Sequence, residues 1–94
     1  MQTSVSDNPA RSRFELAVGD AVAFVDYVRS GDRVVLTHAE VPEALSGQGI
    51  GSKLVRGTLE ALRARGRRAA SRCSFVSAYV ERHPEYRDVL PDGA

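Results

Sequence analysis

The chain is poor in the residues that build most ready-made functional sites. It has one cysteine, no tryptophan, a single lysine and six aromatics among 94 residues. The lone Cys73 excludes an internal disulfide, and with only His38 and His83 as imidazoles no recurring metal-ligand spacing arises, so the expectation is a reducing, intracellular setting without metal. No apolar run approaches the ~20 residues of a membrane span. The segment from Met1 to Arg11 also lacks the apolar core of a signal peptide, which points to a cytoplasmic protein with no membrane partner. Thirteen basic residues oppose twelve acidic ones, and a net charge of +1 gives no general attraction to nucleic acid. The length allows one domain and no second module.

What is present is an ordered series of periodic segments. Residues 1–12 are polar and contain Pro9, and read as a disordered N-terminal tail; residues 91–94 read as a C-terminal tail, leaving 13–90 as the domain. Phe14, Leu16 and Val18 alternate with Glu15 and Ala17, Gly19-Asp20 supplies a tight turn, and Ala21 to Arg29 returns as the other arm of a hairpin. After Ser30-Gly31-Asp32, the run Arg33 to Val41 reads as a third strand, with Val34, Leu36, His38 and Glu40 on one face and Val35, Thr37, Ala39 and Val41 on the other. Pro42 ends it.

From Ile50 to Arg65, apolar residues at Ile50, Leu54, Val55, Leu59 and Leu62 recur at helical spacing and Gly66 stops the pattern. Arg67 to Cys73 reads as a short strand. Phe75, Val76, Tyr79, Val80 and His83 then trace a second helical stripe, closed by Pro84. The fold class is α/β, a single compact domain with a mixed sheet and the order β-β-β-loop-α-β-α.

The loop between the third strand and the first helix is the densest signal. Ser46-Gly47-Gln48-Gly49-Ile50-Gly51 places three glycines at spacing two before a helix. Such a loop can turn its N–H groups inward, and the helix behind it adds roughly half a positive charge at its N-terminus, so the implied ligand is an anion of the pyrophosphate kind. A Rossmann site would put the loop after the first strand, with an acidic residue ending the next one. Here three strands precede it and the next ends in arginine and cysteine. A Walker A loop needs Gly-Lys followed by Ser or Thr, whereas Lys53 stands two residues beyond Gly51.

Taken with His38-Ala39-Glu40-Val41-Pro42, Leu45, Cys73-Ser74-Phe75-Val76, Tyr79 and His83-Pro84-Glu85-Tyr86, this loop resembles the GCN5-related N-acetyltransferases, in their compact subfamily of about a hundred residues. The match runs from Phe14 to Leu90. Gly49 and Gly51 fit the family's glycine pattern, while Ser46 replaces its usual Arg or Gln. Longer relatives carry helices where this chain has only Gly19-Asp20, and those helices form one wall of the acceptor cleft. The resemblance implies acetyl-coenzyme A as cofactor, an amine of unidentified kind as acceptor, and a monomer or weak homodimer. It also implies that the third strand splays near Val41, so that Val41, Gly47, Gln48, Gly49, Ile50 and Gly51 hold the cofactor mainly through main-chain groups.

Acetyl transfer to an amine needs a base, an oxyanion stabiliser and a proton for the thiolate. Glu40 and His38 are the candidate bases; the bland alternatives are a solvated strand-end carboxylate and a hydrogen-bonded histidine. Tyr79 falls where the resemblance puts a general acid, and equally reads as a core aromatic beside Phe75. Cys73 is a candidate nucleophile or a small packing residue. Arg63, Arg65, Arg67, Arg68 and Arg72 crowd one stretch without interleaved aromatics, which fits a solvated face better than a nucleic-acid track, with Lys53 or Arg56 left as partners for the 3′-phosphate of coenzyme A. The functional expectation is an N-acetyltransferase working by direct transfer; the alternative is a coenzyme A-binding module with little turnover.

Overall fold

The computed structural model describes residues 5–45 and 47–91. One mixed sheet of five strands runs in chain order: β1 (Ser6–Asn8), β2 (Arg13–Val18), β3 (Ala21–Ser30), β4 (Arg33–Glu40) and β5 (Arg68–Ser71). The first four pair antiparallel, and β5 lies parallel to β4. Parallel neighbours need a long crossover, and helix α1 (Ile50–Ala64) supplies it. Helix α2 (Ser74–Arg82) follows β5, then a 3₁₀ turn at Pro84–Tyr86.

Both helices contribute to one core. Phe14 and Leu16 of β2, Ala23, Val25 and Tyr27 of β3, and Val34 and Leu36 of β4 are buried on one face of the sheet together with Leu54, Val55, Leu59 and Leu62 of α1 and Val76 and Val80 of α2. Each fully buried aliphatic side chain contributes about 1.5–3 kcal/mol relative to exposure. The other face is open: Ala17, Val22 and Val28 are exposed there. A two-layer α/β domain results.

The chain closes the sheet at both edges. The Ala69 N–H donates to the Val89 carbonyl, so the C-terminal segment shields β5. Arg63 holds that segment through Asp88 and the Glu85 carbonyl, and Tyr86 donates its hydroxyl to Glu60 at 2.7 Å. Burial, and then the Glu60 carboxylate, push the Tyr86 phenol up to about 12.

At the other edge the structure corrects the expectation of a tail for residues 5–12, while residues 1–4, and 92–94 of the expected C-terminal tail, lie outside the described residues. Ser6–Asn8 pairs with Arg13–Glu15 as a hairpin, its turn closed by Arg11 N–H to the Asn8 carbonyl and Ser12 N–H to the Pro9 carbonyl. Two side-chain contacts hold it. Val5 sits so close to α1 at Gly57 that any Cβ there would collide with it. Asp7 accepts from Tyr27 Oη at 2.7 Å and from Arg65 Nη1 at 2.8 Å, with its own side chain 8% exposed. A polar segment thus docks through one methyl-bearing side chain and one carboxylate.

A second correction concerns β4. Val34 and Leu36 face the core, but His38 and Glu40 face solvent, and Ala39 and Val41 turn inward instead. The register explains it. Tyr27 pairs with Leu36 and Asp26 with His38, leaving Thr37 without a partner as a β-bulge, which reverses the alternation beyond it.

Burial disfavours the Asp7 charge, but the Arg65 and Tyr27 hydrogen bonds outweigh it and hold the carboxyl below its usual 3.8. A carboxyl lowered in the folded state stabilises above its unfolded pKa and loses that contribution as pH falls through the folded one. Asp7→Asn should therefore lower unfolding free energy by about 1 kcal/mol at neutral pH. Urea midpoints of the two proteins should converge as pH falls below about 4; a gap that stays constant with pH would contradict this role.

Candidate functional site

The bulge at Thr37 sets up the site. Tyr27 N–H donates to the carbonyl of Ser12, just before β2, so by alternation Phe24 and Asp26 turn their main-chain groups to β4, where they meet Glu40 and His38. The main-chain groups of Ala39 and Val41 then point away from β3, toward the β5 side. β5 does not follow them: its last bond to β4 is Arg72 N–H to the Leu36 carbonyl, and its pairing ends at Ser71. The strands part there, leaving a stretch of β4 edge unpaired among the described residues.

The glycine loop faces this gap. A 3₁₀ turn, Glu43–Leu45, follows Pro42 and plants Leu45 in the core. Ser46 lies outside the described residues. Gly47 and Gly49 have φ of 80° and 70°, a left-handed conformation costing other residues roughly 1–2 kcal/mol. Gly49 caps α1 with no side-chain hydrogen bond, and the first return bond is Lys53 N–H to the Gly49 carbonyl. Among the described residues the amides of Ile50, Gly51 and Ser52 therefore have no return partner, and no acidic residue occupies the first turn to oppose an anion.

Val41, Leu45, Gly47, Gly49, Ile50, Gly51, Ser52 and Phe75 line an open groove of about 290 Å³. The structure thus gathers five of the six residues expected to hold a cofactor; Gln48 is exposed at the loop tip, outside this lining. Phe75 is the residue the sequence pattern misplaced. It is 41% exposed rather than buried with Tyr79, and its ring lies over Gly51, where a Cβ would meet Cζ at 2.6 Å. A side chain at Gly51 would only require this exposed ring to swing aside, since the glycine's own φ is not left-handed. Leu45 and Ser52 were also absent from the expected set; their signal was adjacency to the glycines.

A second recess of about 190 Å³ adjoins the groove at Ser52 and is lined by Lys53, Arg56, Tyr79 and His83. Tyr79 stacks on His83 with ring centroids 4.2 Å apart. It is 3% exposed, and burial raises its phenol above the ordinary value, keeping it protonated at neutral pH. Tyr79 therefore stands between the helices beside two cations.

The remaining candidates are placed apart. Cys73, 8% exposed, precedes the first residue of α2, one residue beyond the last β4–β5 bond and so at the head of the gap. Its carbonyl accepts from Ser71 Oγ and Ser77 N–H. His38 and Glu40 lie 3.3 Å apart on the open face, 58% and 59% exposed, with the His38 ring edge-on to Phe24. Phe24 also carries Arg13 over its ring at 4.4 Å, and Arg13 is paired to Glu15. Among the described residues no cluster of three His, Cys, Asp or Glu side chains is arranged to hold a metal, and no helix is long and apolar enough to cross a membrane.

Gly49→Ala should cost about 1 kcal/mol in chemical denaturation, because the left-handed φ is retained at a steric cost, whereas Gln48→Ala should leave the midpoint unchanged. Equal midpoints for both variants would refute the strained-cap reading.

The unpaired strand edge, the helix-start amides and the groove between them form one concave site suited to an extended ligand with an anionic end. No curated protein matches the sequence at a significant level. A family model described as GCN5-related N-acetyl-transferase matches residues 13–89, most of the chain. On that match the chain belongs to the GCN5-related N-acetyl-transferase family.

Proposed function

We propose that the protein is an acetyl-coenzyme A-dependent N-acetyltransferase that transfers the acetyl group directly to an amine. The observation that carries this reading is the groove in which the free amides at the α1 N-terminus meet the unpaired edge of β4. The residues present fit the cofactor. Three consecutive N–H groups with no first-turn acid suit a pyrophosphate, and the open main-chain groups of Ala39 and Val41 suit a strand-like pantetheine arm. Acetyl-coenzyme A, when bound, supplies an acetyl group activated as a thioester.

The chain's own groups divide the work. The Val41 N–H, turned into the gap, is the donor for the oxygen on which charge develops. Glu40, with His38 at 3.3 Å, takes the proton of an amine arriving from the open face. Tyr79, held protonated by burial, and the cations Lys53 and Arg56 flank the recess that continues the groove, where they suit the 3′-phosphate end of the cofactor. Cys73 is assigned to packing at the start of α2, since direct transfer requires no enzyme nucleophile.

The high exposure of the His38–Glu40 pair favours a second reading, a coenzyme A-binding module with little turnover. Two measurements decide. Calorimetry should show acetyl-coenzyme A binding to the native protein and at least about tenfold weaker binding to Gly49→Glu, equivalent to ~1.4 kcal/mol; identical binding by the two would remove the cofactor assignment. Single-turnover mixing with a panel of amines should give acetylated product at a rate that falls ~10²-fold or more in Glu40→Gln while cofactor affinity is kept. Binding without product in any amine would favour the second reading.

A further inference from the structure

The end of the molecule opposite the glycine loop carries another concave surface that acetyl transfer does not use. Asp32 of the β3–β4 turn, Arg33 opening β4, Arg65, Gly66 and Arg67 leaving α1, and Arg68 opening β5 line an open cleft of about 620 Å³. A smaller neighbouring cavity of about 60 Å³ shares Arg33, Arg65 and Arg67 and adds Arg29. The fold explains the convergence. β4 and β5 are parallel and start at this end, and α1 between them finishes here, so basic residues distant in sequence meet on one rim. α1 is fifteen residues long, which places this rim ~22 Å from the pyrophosphate loop.

Four guanidinium groups thus line a concavity in which Asp32 is the one acidic residue among the described lining. Arg65 is already paired to Asp7 at 2.8 Å and Arg33 has an interaction of its own, so the charges chiefly open to an incoming ligand are those of the adjacent Arg67 and Arg68. A multivalent anion offsets the repulsion between these two neighbours and meets planar donors able to bind two oxygens each. The cleft has the size of a small-molecule site rather than of an extended track. None of its described lining residues is aromatic, so it offers no platform for stacked bases.

We propose that this cleft binds a compact oligophosphate anion, of the tripolyphosphate or nucleoside-triphosphate class, at a site separate from the acetyl-coenzyme A groove. The recognition is by the phosphate chain, with Arg67 and Arg68 as principal donors, Arg33 and Arg65 closing the sides, and Asp32 limiting the charge tolerated at the turn. It does not depend on the acetyltransferase reading.

Calorimetric titration of inorganic tripolyphosphate and of ATP at low and physiological salt tests it. Titrated with acetyl-coenzyme A present, so that the groove does not compete for it, tripolyphosphate should bind the native protein one to one, less tightly as salt rises. The exposed Arg67→Gln and Arg68→Gln variants should each weaken binding, and the double variant by about tenfold or more. Lys53→Gln/Arg56→Gln, at the other end of α1, should bind tripolyphosphate as the native protein does. Equal affinity for ATP and tripolyphosphate would assign recognition to the phosphate chain alone; tighter ATP binding would add a contact to the nucleoside, and both support the proposal. No binding at low salt would overturn it. So would loss in Lys53→Gln/Arg56→Gln with retention in Arg67→Gln/Arg68→Gln, which puts the anion on the coenzyme side. Tighter binding of a single-stranded oligonucleotide than of tripolyphosphate would overturn it in favour of nucleic acid. Retained acetyl-coenzyme A binding by the arginine variants shows that they are folded.

Discussion

One unpaired residue in β4 determines where this domain can bind anything extended. With Thr37 bulged, the strand keeps Leu36 in the core and in register with β5, yet beyond it the main-chain groups of Ala39 and Val41 face away from β3 with no strand to meet them. Unmet main-chain donors and acceptors at a strand edge invite pairing, and most proteins cover them. Here the β5 edge is shielded by Val89 and the other edge ends in the three-residue β1, while the gap inside the sheet is left open. The glycine loop then aims the start of α1 at the same gap. Two sources of N–H groups without partners among the described residues meet in one groove, and the bulge also turns His38 and Glu40 to the opposite face.

The division of labour between the ends of α1 follows from its polarity. Its N-terminus, free of acidic residues, meets the groove, while its C-terminal carbonyls are satisfied by Arg65, Gly66 and Arg67 amides before the chain enters β5. The last turn also anchors two outlying segments, through Arg63 to Asp88 and through Arg65 to Asp7. Short chains bury a small share of their surface, and these ties give the first strand and the C-terminal segment contacts that the central core alone does not provide.

Much of this was legible in the residues. The stripe of α1 and the glycine loop are local patterns, each set by a spacing that only one conformation satisfies, and both occur where they were expected. The α/β class followed from them, and the mixed sheet with a parallel last pair agrees. What could not be read was tertiary. β1 has no alternation of its own; it forms because Asp7 finds Tyr27 and Arg65 and because Gly57 leaves room for Val5. The only local hint was Asn8-Pro9 as a turn starter. The faces of β4 were misassigned since a bulge adds one residue without altering the apolar character of the run. Phe75 fits a helical stripe, yet at the first turn of α2 the stripe points over Gly51 rather than into the core. The sequence offered Tyr79, His38 and Glu40 as reactive candidates but could not say that Tyr79 lines the recess beside Lys53 and Arg56 while His38 and Glu40 share the open face.

The central claim is that the opened edge of β4 and the head of α1 grip one ligand together. Backbone amide shifts recorded while acetyl-coenzyme A is added test this most directly. The account predicts that the amides of Ala39, Val41, Ile50, Gly51 and Ser52 move together with one dissociation constant, and that those of Ser6–Asn8 stay where they are. Movement at the loop alone, with Ala39 and Val41 unaffected at saturation, would contradict it.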